Sequence, residues 1–311
     1  MRIRVLGSAA GGGLPQWNCA CTNCSRARNA DGRVRARTQT QIALTADDRS
    51  WFLLNASPDL RQQILATPEL APSTLSARGT PIAGVVLTAA DADFVMGLLH
   101  LREFQPLRIY ATPGVRRIVT ETNSLFHTLE RSAPPVEWQD FCFGEEMPLR
   151  PQHSPEKPAP LRCKAIPLNG SYPDYVPGDF RETLAREEAV VALVLSDGKK
   201  RFFFAPGLPG NSSAWKPYLR ECELGFLDGT FWSDDELAAV RSGAKTARQM
   251  GHLPLSGPGG LLEELQSETR VRKVAIHANN TNPMLDEGSK EHRMMVDAGW
   301  TIAHDGMEFV L

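Results

Sequence analysis

Hydrophobic positions along this chain switch repeatedly between the two-residue alternation of strands and the three-to-four spacing of helices. Residues 2–6 alternate as a first strand. Segments 39–44 and 50–54 read as a hairpin with Asp47-Asp48 at its turn, and the second runs into Ser57-Pro58, a helix start. A run at 85–87 has strand length; it stops at Thr88-Ala89-Ala90, is followed by Asp91 and Asp93, and gives way to a helical spacing at Phe94, Gly97, Leu98 and Leu101. Residues 108–111 read as a strand and 114–129 as a helix. After a connector at 147–160 come strands at 161–167, 189–195 and 201–205, the last two flanking a Ser196-Asp197-Gly198 turn. A strand at 224–227 ends in Asp228-Gly229-Thr230. The spacing then predicts a helix over 234–248, begun by a Ser233/Glu236 capping box, and another over 259–268. A strand at 273–277 ends on His277, a helix covers 289–298, and strands at 301–303 and 308–310 follow.

Strands alternating with helices place the chain in the α/β class. The 311 residues, 42% hydrophobic and 23% charged, suffice for a sizeable core. A net charge of −2 argues against a general nucleic-acid or membrane-surface binder. No apolar run reaches membrane-spanning length, and residues 1–10 lack the apolar core of a signal peptide. The expected location is cytoplasmic, with no membrane insertion.

Three of the six cysteines, Cys19, Cys21 and Cys24, form C-x-C-x-x-C. Three thiolates this close converge on one cation, and zinc is the default ion for such a set. A tetrahedral site needs a fourth ligand; His277, Asn280 and His304 are the candidates. Gly11, Gly12 and Gly13 precede the cluster without the pattern of a phosphate loop. Elsewhere, strand ends carry Asp91 and Asp93, Asp228 and His277, and His252 sits on a turn. Open α/β sheets build sites at such ends. Mixed carboxylate and imidazole donors suit iron, manganese or zinc. Asp91 or Asp93 also reads as a plain helix cap. Asn55 and Asp59 are placed to face the same edge, and the loop 169–180, carrying Tyr172 and Tyr175, is long enough to cover a pocket.

Together these features resemble the metallo-β-lactamase superfamily. More closely, the chain resembles the pyrroloquinoline quinone biosynthesis protein B family, through GSAAGGGLPQWNCACTNC at 7–24, RTQTQIAL at 37–44, WFLLNASPDLRQQI at 51–64, FLDGTFW at 226–232, MGHLP at 250–254 and IHANNTNPMLDEGS at 276–289. The resemblance implies one αββα sandwich, two mixed sheets flanked by helices, spanning 1–311 with two halves joined near 147–160. It implies a structural Zn2+ at Cys19, Cys21 and Cys24. It also implies an Fe2+- and dioxygen-dependent hydroxylation of the tyrosine ring of a cross-linked Glu-Tyr intermediate, with Asp91, Asp93, Asp228, His252 and His277 as the catalytic set. The alternative role is a non-catalytic carrier of the quinone or its precursor, aiding transport to the periplasm, with Arg61, Arg102 or Arg181 meeting its carboxylates. The expected partner is a small-molecule quinone precursor; a homodimer is allowed. The chain departs from the superfamily's H-x-H-x-D-H: with the aspartate on Asp93, the histidine positions fall on Ala89, Asp91 and Phe94. Ala89 and Phe94 cannot ligate a metal.

Overall fold

Near-continuous apolar runs become strands buried on both faces. In the run 202–204 all three phenyl rings are fully buried. Phe202 and Phe204 enter the core between two sheets, where Phe202 meets Phe226 edge-on at 5.0 Å; Phe203 points the other way and packs on Trp215 beneath the helices. The computed structural model describes residues 1–311 except 73–77, 104, 132–134, 153–155, 157–158 and 211–212. His153 and part of the connector at 147–160 fall outside the described residues.

The strands are β1 (Arg2–Gly7), β2 (Gln41–Thr45), β3 (Trp51–Leu54), β4 (Ile82–Val86), β5 (Arg108–Ala111), β6 (Glu137–Asp140) and β7 (Met147–Pro148). They continue with β8 (Arg162–Pro167), β9 (Val191–Ser196), β10 (Arg201–Ala205), β11 (Leu224–Asp228), β12 (Arg272–Ile276), β13 (Trp300–Ile302) and β14 (Glu308–Val310). They form two seven-stranded sheets, ordered β14-β1-β2-β3-β4-β5-β6 and β13-β12-β11-β10-β9-β8-β7. Each sheet runs from antiparallel hairpins, β1–β3 and β7–β10, into parallel strands, β3–β6 and β10–β13. One core fills the space between the sheets, and two further cores lie under the helices outside them. This is the αββα sandwich of the metallo-β-lactamase fold, as the resemblance implies. No helix among the described residues is long and apolar enough to cross a membrane.

Both hairpins form where the sequence places them. Asp47 Oδ1 accepts from the backbone of Arg49 and Ser50, and Asp197 Oδ1 from Lys199 and Lys200. The long helices are less faithful. The one expected over 114–129 begins at Pro113 under a Thr112 cap, widens into a π-type turn at Ile118–Thr122 and resumes as a tighter helix at Ser124–Arg131. Thr122 and Asn123 both donate to the Ile118 carbonyl, drawing it from the regular ladder. The helix expected over 234–248 shrinks to single turns at Glu236–Ala239 and Arg248–Met250. Its capping box does not form: Ser233 donates to Asp235, while Glu236 accepts from the Trp232 backbone and the Thr281 hydroxyl. The helix over 259–268 contracts to Leu261–Glu264. By contrast, Ser289 caps the helix Lys290–Asp297 by accepting from His292 at 2.9 Å.

Parallel strands bring their carboxyl ends to one edge. Asn55 follows β3, Asp91 and Asp93 follow β4, Asp228 ends β11, and His277 follows β12. Bridges Ala9–Ala278 and Ala89–Val190 tie the two sheets together beside this edge.

Candidate metal centres

Cys19 and Cys21 lie on the loop before the helix Thr22–Asn29, and Cys24 lies in its first turn. Their three sulfurs surround the Asn280 side chain, whose Nδ2 is 3.2 Å from Cys19 Sγ, 3.6 Å from Cys21 Sγ and 3.3 Å from Cys24 Sγ. Of the three candidates for the fourth corner, Asn280 is the one the fold delivers. His277 belongs to the second cluster, and His304 Nδ1 bonds the Asp305 carbonyl. Turning the Asn280 amide presents Oδ1 to the same point, which makes a three-sulfur, one-oxygen set. Buried Asn23 holds the segment by donating to the carbonyls of Asn280 and Asn282 at 3.0 and 2.8 Å. Burial pushes the Cys24 thiol up to about 11, while for Cys19 burial is outweighed by hydrogen bonds from Cys21 and Asn280, which hold it below its ordinary value. A buried thiol beside two others is the setting in which a soft cation stabilises the thiolate.

The second cluster is built on β4, β11 and β12. Donor atoms of Asp228, His252 and His277 lie within 4.8 Å of one another. Asp228 is fully buried, and both oxygens are saturated: Oδ1 accepts from the Thr230 backbone and hydroxyl at 3.0 and 2.6 Å, Oδ2 from the Leu208 backbone and His252 Nδ1 at 2.8 Å each. The Thr230 hydroxyl gives its one proton to Asp228 and therefore accepts from His277 Nδ1 at 2.9 Å, while His252 Nδ1, whose proton goes to Asp228 Oδ2, stands 3.1 Å from the same hydroxyl. Both imidazoles thus carry their proton on Nδ1. Nε2 of each is then the ring atom away from Thr230, and both rings line a cavity of about 490 Å³. The rings stack at 5.5 Å.

His277 Nε2 stands 2.9 Å from Asp93 Oδ2. Two basic atoms at that distance require a cation between them, either a proton or a metal. It is also the spacing of adjacent ligands about one ion with bonds of about 2.1 Å. Burial opposes ionisation of Asp93, but the hydrogen bond and charge of His277 hold its carboxyl below the usual range. Asp228 is held low in the same way, against burial, by His252 and Thr230. Burial disfavours the His252 cation, yet Asp228 lifts it above its ordinary value. Asp91 behaves oppositely: burial, then the neighbouring Asp93 charge, push it up to about 6. Asp91 precedes the short helix Ala92–Val95, yet its side chain makes no cap hydrogen bond, so the plain capping role does not hold.

Phe94 supplies no donor. Its ring lies 5.3 Å from His277 and closes one side of it with hydrocarbon. Asn55 and Asp59 are structural: Asn55 Oδ1 accepts from the Thr88 backbone and hydroxyl, and Asp59 accepts from Gln39. The loop 169–180 does border the cavity through Tyr172 and Pro173, and Tyr175 donates its hydroxyl proton to the Ala90 carbonyl. None of Arg61, Arg102 and Arg181 lines the cavity; Lys245 and Arg248 do. Sequence reasoning missed Thr230, although Asp-Gly-Thr at a strand end is the pattern of a turn in which an aspartate accepts from the residue two positions on.

One segment serves both clusters. His277, with φ +62°, and Asn280 are three residues apart. Between them Ala278 pairs with Ser8 and Ala10, and Asn279 with Thr230.

The chain matches the model of the beta-lactamase superfamily domain over residues 50–278. It is 39% identical over 308 residues to the coenzyme PQQ synthesis protein B of Methylorubrum extorquens, covering 99% of each chain. It is 40% identical to that of Ruegeria pomeroyi over the full length of both. Among solved structures, the Zn(2+)-bound PqqB from Methylobacterium extorquens superposes with a TM-score of 0.90 at 38% identity, covering all of both chains. A diphosphatase from the PhnP family shares the fold at a TM-score of 0.66 and 18% identity, over 100% of this chain and 97% of that one.

Proposed function

Since the chain belongs to the coenzyme PQQ synthesis protein B family of the metallo-β-lactamase superfamily, we propose that it serves pyrroloquinoline quinone biosynthesis as a metal-dependent hydroxylase acting on the tyrosine ring of a cross-linked Glu-Tyr precursor, in the cytoplasm. The observation that carries this reading is that His252, His277 and Asp93 line one cavity of about 490 Å³, with His277 Nε2 2.9 Å from Asp93 Oδ2, a pair that one ion would bridge. Two imidazoles and one carboxylate form the donor set of non-haem iron oxygenases, and they leave coordination positions open. Iron held there would supply the activation of dioxygen.

The chain's own residues prepare that site. Asp228 and Thr230 fix the tautomer and direction of both rings before any ligand arrives. Phe94 and Phe231 flank the rings with hydrocarbon and exclude water from that side. Asp91, beside Asp93 on the same turn, is a second carboxylate within the cavity wall. At the sulfur cluster we propose a structural zinc held by Cys19, Cys21, Cys24 and Asn280, in keeping with the zinc in the Methylobacterium relative.

Anaerobic loading with ferrous iron is the test. We expect about one equivalent beyond the sulfur-bound ion, lost in His277→Ala, and, in air with a two-electron reductant such as ascorbate supplied, gain of one oxygen atom by the cross-linked precursor while the second oxygen atom leaves as water. Absence of iron binding above background overturns the reading. Phe94, standing where the superfamily motif has a histidine, favours the carrier role as the second reading; that role predicts tight quinone binding by the iron-free protein with no turnover.

A further inference from the structure

The cavity is lined by charges of both signs, Asp91, Asp93 and Asp174 as well as Lys245 and Arg248. Asp91 and Asp93 belong to the turn after β4 that helps form the imidazole–carboxylate cluster, whereas Lys245 and Arg248 come from a separate segment of the lining. We propose that Arg248, with Lys245 beside it, is the carboxylate-binding end of this cavity, so that a small-molecule ligand lies with an anionic group at these cations and its ring toward His252 and His277. This rests on reading the cavity as a substrate site.

Arg248 is held in place without being neutralised. Its Nη2 donates to the carbonyls of Pro258 and Gly259 at 2.9 and 3.2 Å, and its backbone N–H donates to Asp234 at 2.9 Å. Carbonyls fix the guanidinium but leave its charge. Among the described residues, no carboxylate forms an ion pair with it. A role limited to clamping the 257–259 turn accounts for Nη2 alone; it leaves an unpaired positive charge over a cavity. A fixed cation of this kind binds an anion with little ordering cost.

Lys245 is three residues earlier on the same segment and is differently engaged. Its Nζ is 2.9 Å from Asp174 Oδ2 on the loop 169–180, which also borders the cavity, and Asp174 is shared with Arg181 at 3.4 Å. The pair is exposed, so it contributes little and exchanges readily. An incoming carboxylate takes the place of Asp174 on Lys245, while Asp174 keeps Arg181.

Guanidinium and ammonium groups also bind phosphate, so the test has two arms. Pyrroloquinoline quinone, a planar tricarboxylate, is titrated calorimetrically into the full-length protein, and inorganic phosphate is titrated in parallel. Ferrous iron loading is measured on every variant. Arg248→Gln should weaken quinone binding by roughly tenfold or more, Arg248→Lys by less, and Lys245→Gln by a few-fold, with the affinity of the natural protein falling as salt rises. Iron content should be unchanged in all three. Phosphate should bind at least about tenfold more weakly than the quinone. The proposal is overturned if Arg248→Gln binds the quinone as tightly as the natural protein, if phosphate matches the tricarboxylate, or if the natural protein does not take up the quinone. Failure of iron loading in the natural protein would instead remove the hydroxylase reading; a loss of quinone affinity in Arg248→Gln would still support the anion site.

Discussion

The sulfur cluster and the imidazole–carboxylate cluster sit on one loop, three residues apart, yet they are assembled by opposite routes. Three donors of the first come from positions 19–24, a span that one turn of chain can close. The donors of the second come from the ends of β4, β11 and β12 and a separate turn, and one of its ion-pair contacts, Asp93 to His277, joins residues 184 positions apart. The first needs only a local bend plus Asn280. The second exists only once two sheets have packed and their strand ends share an edge. Local donors therefore suit an ion that stabilises the fold, and dispersed donors suit one that the fold holds ready for chemistry.

Four substitutions sharpen or break that contrast. The largest effect is expected for Cys24→Ser, which removes a fully buried sulfur: zinc content falls and Tm drops by on the order of 10 °C in a thermal melt. An unchanged Tm would remove the stabilising role from the sulfur cluster. Next, His277→Ala should abolish ferrous iron binding while zinc content stays at one, as read by elemental analysis. Asp228→Asn comes third. It leaves the ring nitrogens in place but loosens their orientation, so iron affinity falls by roughly 10- to 100-fold in a competition titration with a chelator. An Asp228→Asn protein with intact affinity would show that packing alone sets the imidazoles. The smallest change is expected for Phe94→His, which adds a donor beside His277 and should raise iron affinity by about tenfold or less; a lower affinity would mean that the phenyl ring's packing matters more than an added ligand.

The same contrast governs what could be read from the sequence. Cys19, Cys21 and Cys24 announce themselves because their spacing is the site. Asp93, Asp228 and His277 were legible as strand ends, since parallel strands align such ends whatever the loops do. What joins them was not: Thr230 contacts both rings through a hydroxyl whose partners are 22 and 47 residues away. Glu236 reads locally as half of a capping box, but Thr281, 45 residues on, takes its carboxylate, and the helix beyond it does not form. Long-range hydrogen bonds of this sort override a propensity of a few tenths of a kcal/mol per residue. Arg248 was overlooked for a related reason. It lies in a segment expected to be helical, and its guanidinium is placed by the 257–259 turn folding back against it.

The stretch from His277 to Asn280 complicates any screen for catalytic residues. Replacing Asn280 or a neighbouring cysteine is expected to shift the backbone on which His277 stands, so such variants would disturb the second cluster without belonging to it. Activity alone will sort them with the reactive groups. Counting each bound metal separately will tell a broken anchor from a broken reaction centre.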